Sequence, residues 1–193
     1  MSKSFSFLII IKQILATTDG RDKLFKVLQY SLKLNDWLKN SKSWIALISN
    51  LSLARKMIRL LHGLDPLLEL NMDSFKNVDA TMINNIFSLL SDGADDMICL
   101  GKLKVIDDKW IDFATPISDR SWFITIFLDI YDLVKSIQKE PTMLKKISLA
   151  KLICDLIFCS IDVFKLDVSA GWQNVTGLLS GTIGTFKLIQ KKL

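Results

Sequence analysis

The chain has 193 residues, of which 50% are hydrophobic and 23% are charged, and its formal net charge is +5. This length predicts a single domain; the mean hydropathy of +0.31 is high for a soluble protein, and the charge content is high for a protein with many membrane spans. The positive balance favours an anionic partner, and we expect lipid rather than nucleic acid because aromatic and basic residues do not interleave as a base-stacking surface requires.

The hydrophobic periodicity predicts an all-α protein, since the alternation typical of strands is scarce. The predicted helices cover about 5–16, 20–39, 43–62, 79–90, 94–106, 118–139, 143–166 and 169–190. A polar loop is expected at Asn71–Asn77, and a connector with Pro116 at Asp107–Ser118. We predict one domain, 1–193, with amphipathic helices in 1–70, central helices in 71–166 and a glycine-rich helix in 167–193.

The segment Leu51–Leu64 separates polar from apolar side chains more cleanly than the rest of the chain. At about 100° per residue its polar side chains fall in a sector roughly 120° wide, which carries Arg55, Lys56 and Arg59 but no acid. Such a face is typical of a helix lying in a membrane surface, with cations toward lipid phosphates. The alternative is a surface helix of a soluble bundle. The side chains predicted to enter the lipid are Met57, Ile58, Leu61 and Leu64.

The helix before it, which ends near Lys39, is a second and less pure amphipathic helix. Lys26 and Lys33 share its polar face, whereas leucine and valine crowd the other face. We predict that these two lysines assist membrane binding, because cations beside an apolar face favour an anionic lipid surface.

The longest stretch without a charge is Val168–Phe186, which as a helix measures about 28 Å against a hydrocarbon core of about 30 Å. Gly177, Gly181 and Gly184 lie near one face, and small residues at this spacing let helices approach closely in lipid. Trp172 and the lysines after the stretch favour a membrane-embedded helix that self-associates. The alternative is a glycine-rich helix in a soluble core.

No enzyme, cofactor or metal site is predicted. His62 is the only histidine, and the three cysteines lack the spacing of metal ligands. No nucleotide-binding or hydrolase motif occurs, and no nucleophile, base and charge stabiliser can be combined. Asp155 and Asp162 share a helical face, which we interpret as the solvated side of an amphipathic helix. The acidic group at 92–96 is interpreted as a helix start.

Two blocks resemble a known family. Residues 18–30 (TDGRDKLFKVLQY) and 53–60 (LARKMIRL) are similar to the first and second motifs of the peroxisomal biogenesis factor eleven (peroxin-eleven) family. Looser similarity continues at Ala94-Asp95, at Trp122 and through the glycine-rich segment 177–184. The resemblance therefore extends over nearly the whole chain.

The resemblance implies a protein of the membrane of peroxisomes or related microbodies such as glycosomes. Members promote elongation, proliferation and fission of the organelle by inserting amphipathic helices, self-associating and recruiting dynamin-type fission machinery. Together with the helical pattern it predicts a membrane-associated bundle of six to seven amphipathic helices with an embedded C-terminal helix. Two alternatives remain open: a helical adaptor for an acidic protein at a membrane surface, and a pore-forming membrane protein.

Overall fold

The computed structural model describes residues 3–69 and 80–191, and these residues form eight helices. The prediction of an all-α protein is confirmed for the described residues. The predicted loop at Asn71–Asn77 lies outside the described residues. The helices are α1 (Lys3–Leu15), α2 (Thr18–Leu38), α3 (Ile45–Ile58), α4 (Leu64–Glu69), α5 (Ala80–Lys102), α6 (Lys109–Lys139), α7 (Met143–Val163) and α8 (Ala170–Gln190).

The long helices pack mainly as antiparallel neighbours. The pairs α5–α6, α6–α7 and α7–α8 follow one another in sequence, and α2 lies between α3 and α8. Lys56 of α3 contacts Asp95 of α5, which joins the N-terminal helices to the central ones. As a result, α2, α5 and α7 end where α3, α6 and α8 begin. We call this end of the bundle the tryptophan end, because Trp37, Trp44, Trp110 and Trp172 lie in or beside those helix termini.

Glycines allow α8 to approach α2 closely. A Cβ atom on Gly177 would lie 2.7 Å from the ring of Tyr30, and one on Gly181 would lie 3.2 Å from Val27. Gly184 faces Lys23 in the same way. The face on which the sequence predicted self-association is therefore covered by α2 of the same chain.

The predicted membrane-embedded C-terminal helix is not supported. Within residues 3–69 and 80–191, no helix combines the length and the apolar composition needed to cross a membrane. Polar residues lower the hydrophobicity of α8, and three of them, Asn174, Thr176 and Ser180, are buried inside the bundle.

Tertiary packing explains where the observed helices differ from the predicted ones. α5 continues through Gly93, and α6 begins at Lys109 and contains Pro116 in its interior. The extra turns of α6 bury apolar surface that a connector would expose: Ala114 packs with Ala94 and Ile98 in the main hydrophobic cluster. That burial offsets the backbone hydrogen bond that proline cannot donate.

The amphipathic helix α3 ends at Ile58, four residues before the predicted end at His62. Leu61 has a left-handed backbone with φ 66°, and its N–H donates to Asp96 Oδ2 at 3.1 Å. The segment that was predicted as one amphipathic helix, Leu51–Leu64, therefore consists of the end of α3, the turn after it and the first residue of α4.

We expect Gly177→Ala to destabilise the protein by about 1–3 kcal/mol, because the added methyl group overpacks the α2–α8 contact. Gly93→Ala is the matched control, since a Cβ atom there meets nothing within 4 Å. That control is expected to be neutral or to stabilise the helix by up to about 1 kcal/mol. Thermal unfolding followed by circular dichroism measures both. Equal effects of the two substitutions would contradict the close approach of α8 to α2.

Candidate functional site

The basic residues of α3 point into the bundle. Arg55 Nε donates to Asp22 Oδ1 at 2.9 Å, and its Nη1 donates to Gln29 Oε1 at 2.9 Å, both on α2. Lys56 Nζ donates to Asp95 Oδ1 of α5 at 2.7 Å. The side chains of Arg55 and Lys56 are only 13% and 17% exposed. In the structure these cations therefore face the interior of the bundle, and their binding to lipid stays a prediction.

Arg59 joins Arg55, Lys56, Asp22 and Asp95 in one group of charges, which we call the first cluster. Its Nη2 lies 3.2 Å from Asp95 Oδ2, whereas its Nε lies 3.7 Å from Asp22 Oδ1 and has no hydrogen-bond partner in the described part of the chain. Asp95 also accepts a hydrogen bond from Ser118 Oγ of α6 at 3.0 Å. One carboxylate thus joins α3, α5 and α6.

A second cluster surrounds Asp155, which is 4% exposed. Lys26 Nζ of α2 lies 3.0 Å from Asp155 Oδ1, and Lys151 Nζ lies 2.7 Å from Asp155 Oδ2. Ser180 of α8 donates its hydroxyl to Asp155 and accepts from Lys26 at 2.9 Å. The interpretation of Asp155 as part of a solvated face was therefore wrong: this carboxylate joins α2, α7 and α8 inside the bundle.

The basic surroundings keep both central carboxylates ionised. Burial by itself disfavours the charged form, but Lys26, Lys151 and the hydrogen bonds of Lys151 and Ser180 outweigh it, so the pKa of Asp155 lies below its usual value. The pKa of Asp95 is lowered in the same way against its burial, by Lys56, Arg59 and hydrogen bonds.

The pKa of Asp119 is shifted in the opposite direction. Burial is the main cause that raises the pKa of Asp119, and the negative charges of Asp162 and Asp95 raise it further. Its carboxylate lines the same cavity as the two clusters. The cavity wall therefore contains carboxylates whose ionised form is stabilised and one whose ionised form is destabilised.

The two clusters line one cavity with a volume of about 460 Å³. In the described residues its wall includes as many basic as acidic side chains, which keeps the local charge balanced. The basic ones are Lys23, Lys26, Lys33, Arg55, Lys56, Arg59 and Lys151; the acidic ones are Asp19, Asp22, Asp92, Asp95, Asp119, Asp155 and Asp162. The interior of this bundle is thus unusually polar.

The outer surface is correspondingly apolar. On and after α3, Met57 is 51% exposed, Leu61 62% and Leu64 50%, while Ile58 is half-buried. Comparable side chains are exposed on every long helix of the described part. The sequence separated the two faces of Leu51–Leu64 correctly, but the apolar face lies outside and the basic face inside.

The other two predicted membrane-binding residues, Lys26 and Lys33, lie on α2 and have different partners. Lys26 is held by Asp155, and Lys33 places its ammonium group 4.8 Å from the ring centre of Tyr30. Lys33 has no carboxylate partner in the described residues. That either lysine contacts lipid stays a prediction.

Sequence reasoning missed the carboxylates that neutralise α3. Asp95 belongs to the group interpreted as a helix start, yet it pairs with Lys56, and Asp22 pairs with Arg55. A signal was present: a helix with three cations and no acid needs anions from elsewhere, and 92–96 holds three of them.

The described residues hold no group of three or more histidine, cysteine or acidic side chains placed to bind a metal ion. Burial raises the pKa of Cys159 to about 12, and its thiol donates to the carbonyl of Asp119 at 3.4 Å. That thiol is therefore protonated and packed, and it offers no nucleophile at neutral pH.

Fold and site together define an all-α bundle with a charged interior and an apolar surface. The model of the peroxisomal biogenesis factor 11 (PEX11) family matches residues 10–148, and the chain belongs to this family. No curated protein and no solved structure matches the chain. Family membership confirms the predicted resemblance and implies a role in peroxisome biogenesis and an association with peroxisomes. The family is one of biogenesis factors and is not known for enzymatic activity.

We expect Asp155→Asn to destabilise the protein by about 3 kcal/mol or more, because it leaves Lys26 buried without its anion. The double variant Asp155→Asn with Lys26→Gln should recover part of the loss. Asp108→Asn is the control, since its pair with Lys104 is exposed and should change stability by less than about 1 kcal/mol. Denaturant unfolding measures all three. A loss from Asp155→Asn no larger than that of the control would contradict a structural role of the buried pair.

Stability should depend on pH in two opposite ways. Because the pKa values of Asp95 and Asp155 lie below the reference of 3.8, their contribution is present above that pH and is lost as the pH falls further. Because the pKa of Asp119 lies above 3.8, its charge costs stability at neutral pH, and this cost disappears on acidification. Asp119→Asn should therefore raise the unfolding midpoint at neutral pH and leave it unchanged in acid. A lower midpoint at neutral pH would contradict this sign.

Proposed function

We propose that this protein acts on the peroxisomal membrane, where it promotes elongation, proliferation and fission of the organelle by inserting amphipathic helices into the cytosolic leaflet. The observation that carries the proposal is the exposed apolar side of α3 and of the turn after it, with Met57, Leu61 and Leu64. A large buried side chain contributes about 1.5–3 kcal/mol when it leaves water, which favours transfer of this side into lipid.

The internal ion pairs support a stepwise insertion. The apolar side of α3 can enter lipid without disturbing Arg55, Lys56 and Arg59, because these cations are paired inside the bundle. Lipid phosphates then compete with Asp22 and Asp95 for the same cations. Each basic residue that reaches an anionic surface contributes about 1 kcal/mol, so the second step depends on the lipid composition.

Insertion into a single leaflet gives a physical basis for elongation. An amphipathic helix lies about 5–10 Å deep at the boundary between headgroups and acyl chains, where it enlarges the area of that leaflet and favours positive curvature. Many copies in one patch add their effects, which is why self-association and dynamin-type fission partners belong to the proposal. Within one chain α2 covers Gly177, Gly181 and Gly184, so self-association through them requires α2 to move away.

A pore-forming protein is the second candidate, and the charged cavity of about 460 Å³ favours it. A pore lets small ions leak from vesicles whose shape does not change, whereas the proposed insertion changes vesicle shape. An adaptor for an acidic protein is less favoured, because the basic side of α3 is neutralised from within the bundle.

The double variant Met57→Gln/Leu64→Gln tests the proposal. We expect it to bind vesicles roughly tenfold more weakly or worse, as two apolar anchors are lost, and to give shorter peroxisomes on overexpression. Ile153→Gln/Ile157→Gln on α7 is the matched control, since those side chains are exposed to a similar extent. The measurements are vesicle flotation and fluorescence microscopy of tagged peroxisomes. If the α3 variant elongates peroxisomes as well as the unmodified protein does, insertion of α3 is not the mechanism.

A further inference from the structure

A second cavity opens at the tryptophan end and adjoins the charged cavity, with which it shares Gln29, Lys33 and Ser52. Its volume is about 660 Å³, within the range of small-molecule sites. One wall is apolar and comes from Ile45, Ile48 and Leu53 of α3, whereas the facing wall is polar and contains Lys33 of α2 and Lys102 of α5. We call it the lysine groove.

The groove has an excess of positive charge. In residues 3–69 and 80–191, neither Lys33 nor Lys102 has an ion-pair partner. The one carboxylate in the wall, Asp36, is already used: it accepts from Ser41 Oγ at 2.9 Å and from the N–H of Trp44 at 3.0 Å. Burial lowers the pKa of Lys33, and the nearby charges of Arg55 and Lys102 lower it further. An anion placed between the two lysines would relieve this repulsion.

The groove lies at the same end of the bundle as most of the tryptophans. All five tryptophans lie in the described residues, and four of them are at this end, each at least 40% exposed: Trp37, Trp44, Trp110 and Trp172. Tryptophan is enriched where proteins meet the boundary between lipid headgroups and hydrocarbon. The fifth, Trp122, packs against Phe158 within the bundle. The groove therefore opens at the end of the bundle that carries the four exposed tryptophans.

We propose that the lysine groove binds one anionic phospholipid, whose phosphate lies between Lys33 and Lys102 and whose acyl chain lies along Ile45 and Ile48. A soluble phosphate would use the lysines but not the apolar wall, and a neutral lipid would leave the charge uncompensated. This inference rests on the proposed function, since it assumes contact with a membrane. It adds a site on α2, α3 and α5 that is distinct from the basic face of α3.

The test compares two pairs of lysines at the same end of the bundle. Lys33→Gln/Lys102→Gln removes two charges from the groove, and Lys104→Gln/Lys109→Gln removes two charges outside it, where Asp108 and Asp107 pair with them. Binding of the full chain is measured by flotation with vesicles of phosphatidylcholine alone and with added phosphatidylserine. We expect the groove variant to lose roughly tenfold in its preference for phosphatidylserine, and the control variant to lose much less.

Equal losses in the two variants, or no loss in the groove variant, would overturn the lipid site. Displacement of the protein from vesicles by millimolar inorganic phosphate would instead assign the groove to a soluble anion and would also overturn it. Lys102→Gln alone keeps the test decisive if the double variant misfolds, because Lys102 is exposed. Elongation of peroxisomes is measured separately and tests the proposed function. If the groove variant keeps its preference for phosphatidylserine and still elongates peroxisomes, the lipid site is refuted but the proposed function is not.

Discussion

The bundle depends on the pairing of buried charges. Removing an ion from water costs several kcal/mol unless a partner and hydrogen bonds replace the water, and here Asp155 and Asp95 provide that replacement for four basic side chains. Each of the two carboxylates joins its own helix to two others, so a packing arrangement that separates either carboxylate from its cations leaves buried charge without a partner. Apolar contacts such as the Ala94–Ala114 cluster add to these ion pairs between neighbouring helices.

A polar interior leaves fewer positions for apolar side chains inside. Among the buried residues of the described part, nine are polar or charged and ten are hydrophobic. Leucine, isoleucine and aromatic residues therefore occupy the outer faces in large numbers, including Leu38, Leu68 and Phe164. Exposed apolar surface on this scale marks interaction with a membrane or another protein, which agrees with the proposed role at the peroxisomal membrane.

Helical periodicity in the sequence predicted the fold class and most helix boundaries, because it depends on local spacing. Which face of a helix is buried depends instead on the helices that pack against it. Leu51–Leu64 has the pattern of a lipid-surface helix, and nothing within that segment reveals that Asp22 and Asp95 will attract its cations inward. The connector predicted around Pro116 was wrong for a similar reason. Proline breaks helices locally, but the burial of Ala114 outweighs that tendency here. The family, by contrast, was recognisable from short motifs that require no tertiary structure.

The contacts of Lys26 connect the two ends of the chain, and this has a consequence for biosynthesis. Asp155 lies 129 residues after Lys26, and Ser180 lies 154 residues after it. At a synthesis rate of about 5–20 residues per second, Lys26 waits roughly 6–30 s for these partners to emerge from the ribosome. During that interval the cationic N-terminal helices are free of their final neighbours. Lys26 therefore stays without its final partners until nearly the whole chain has been synthesised.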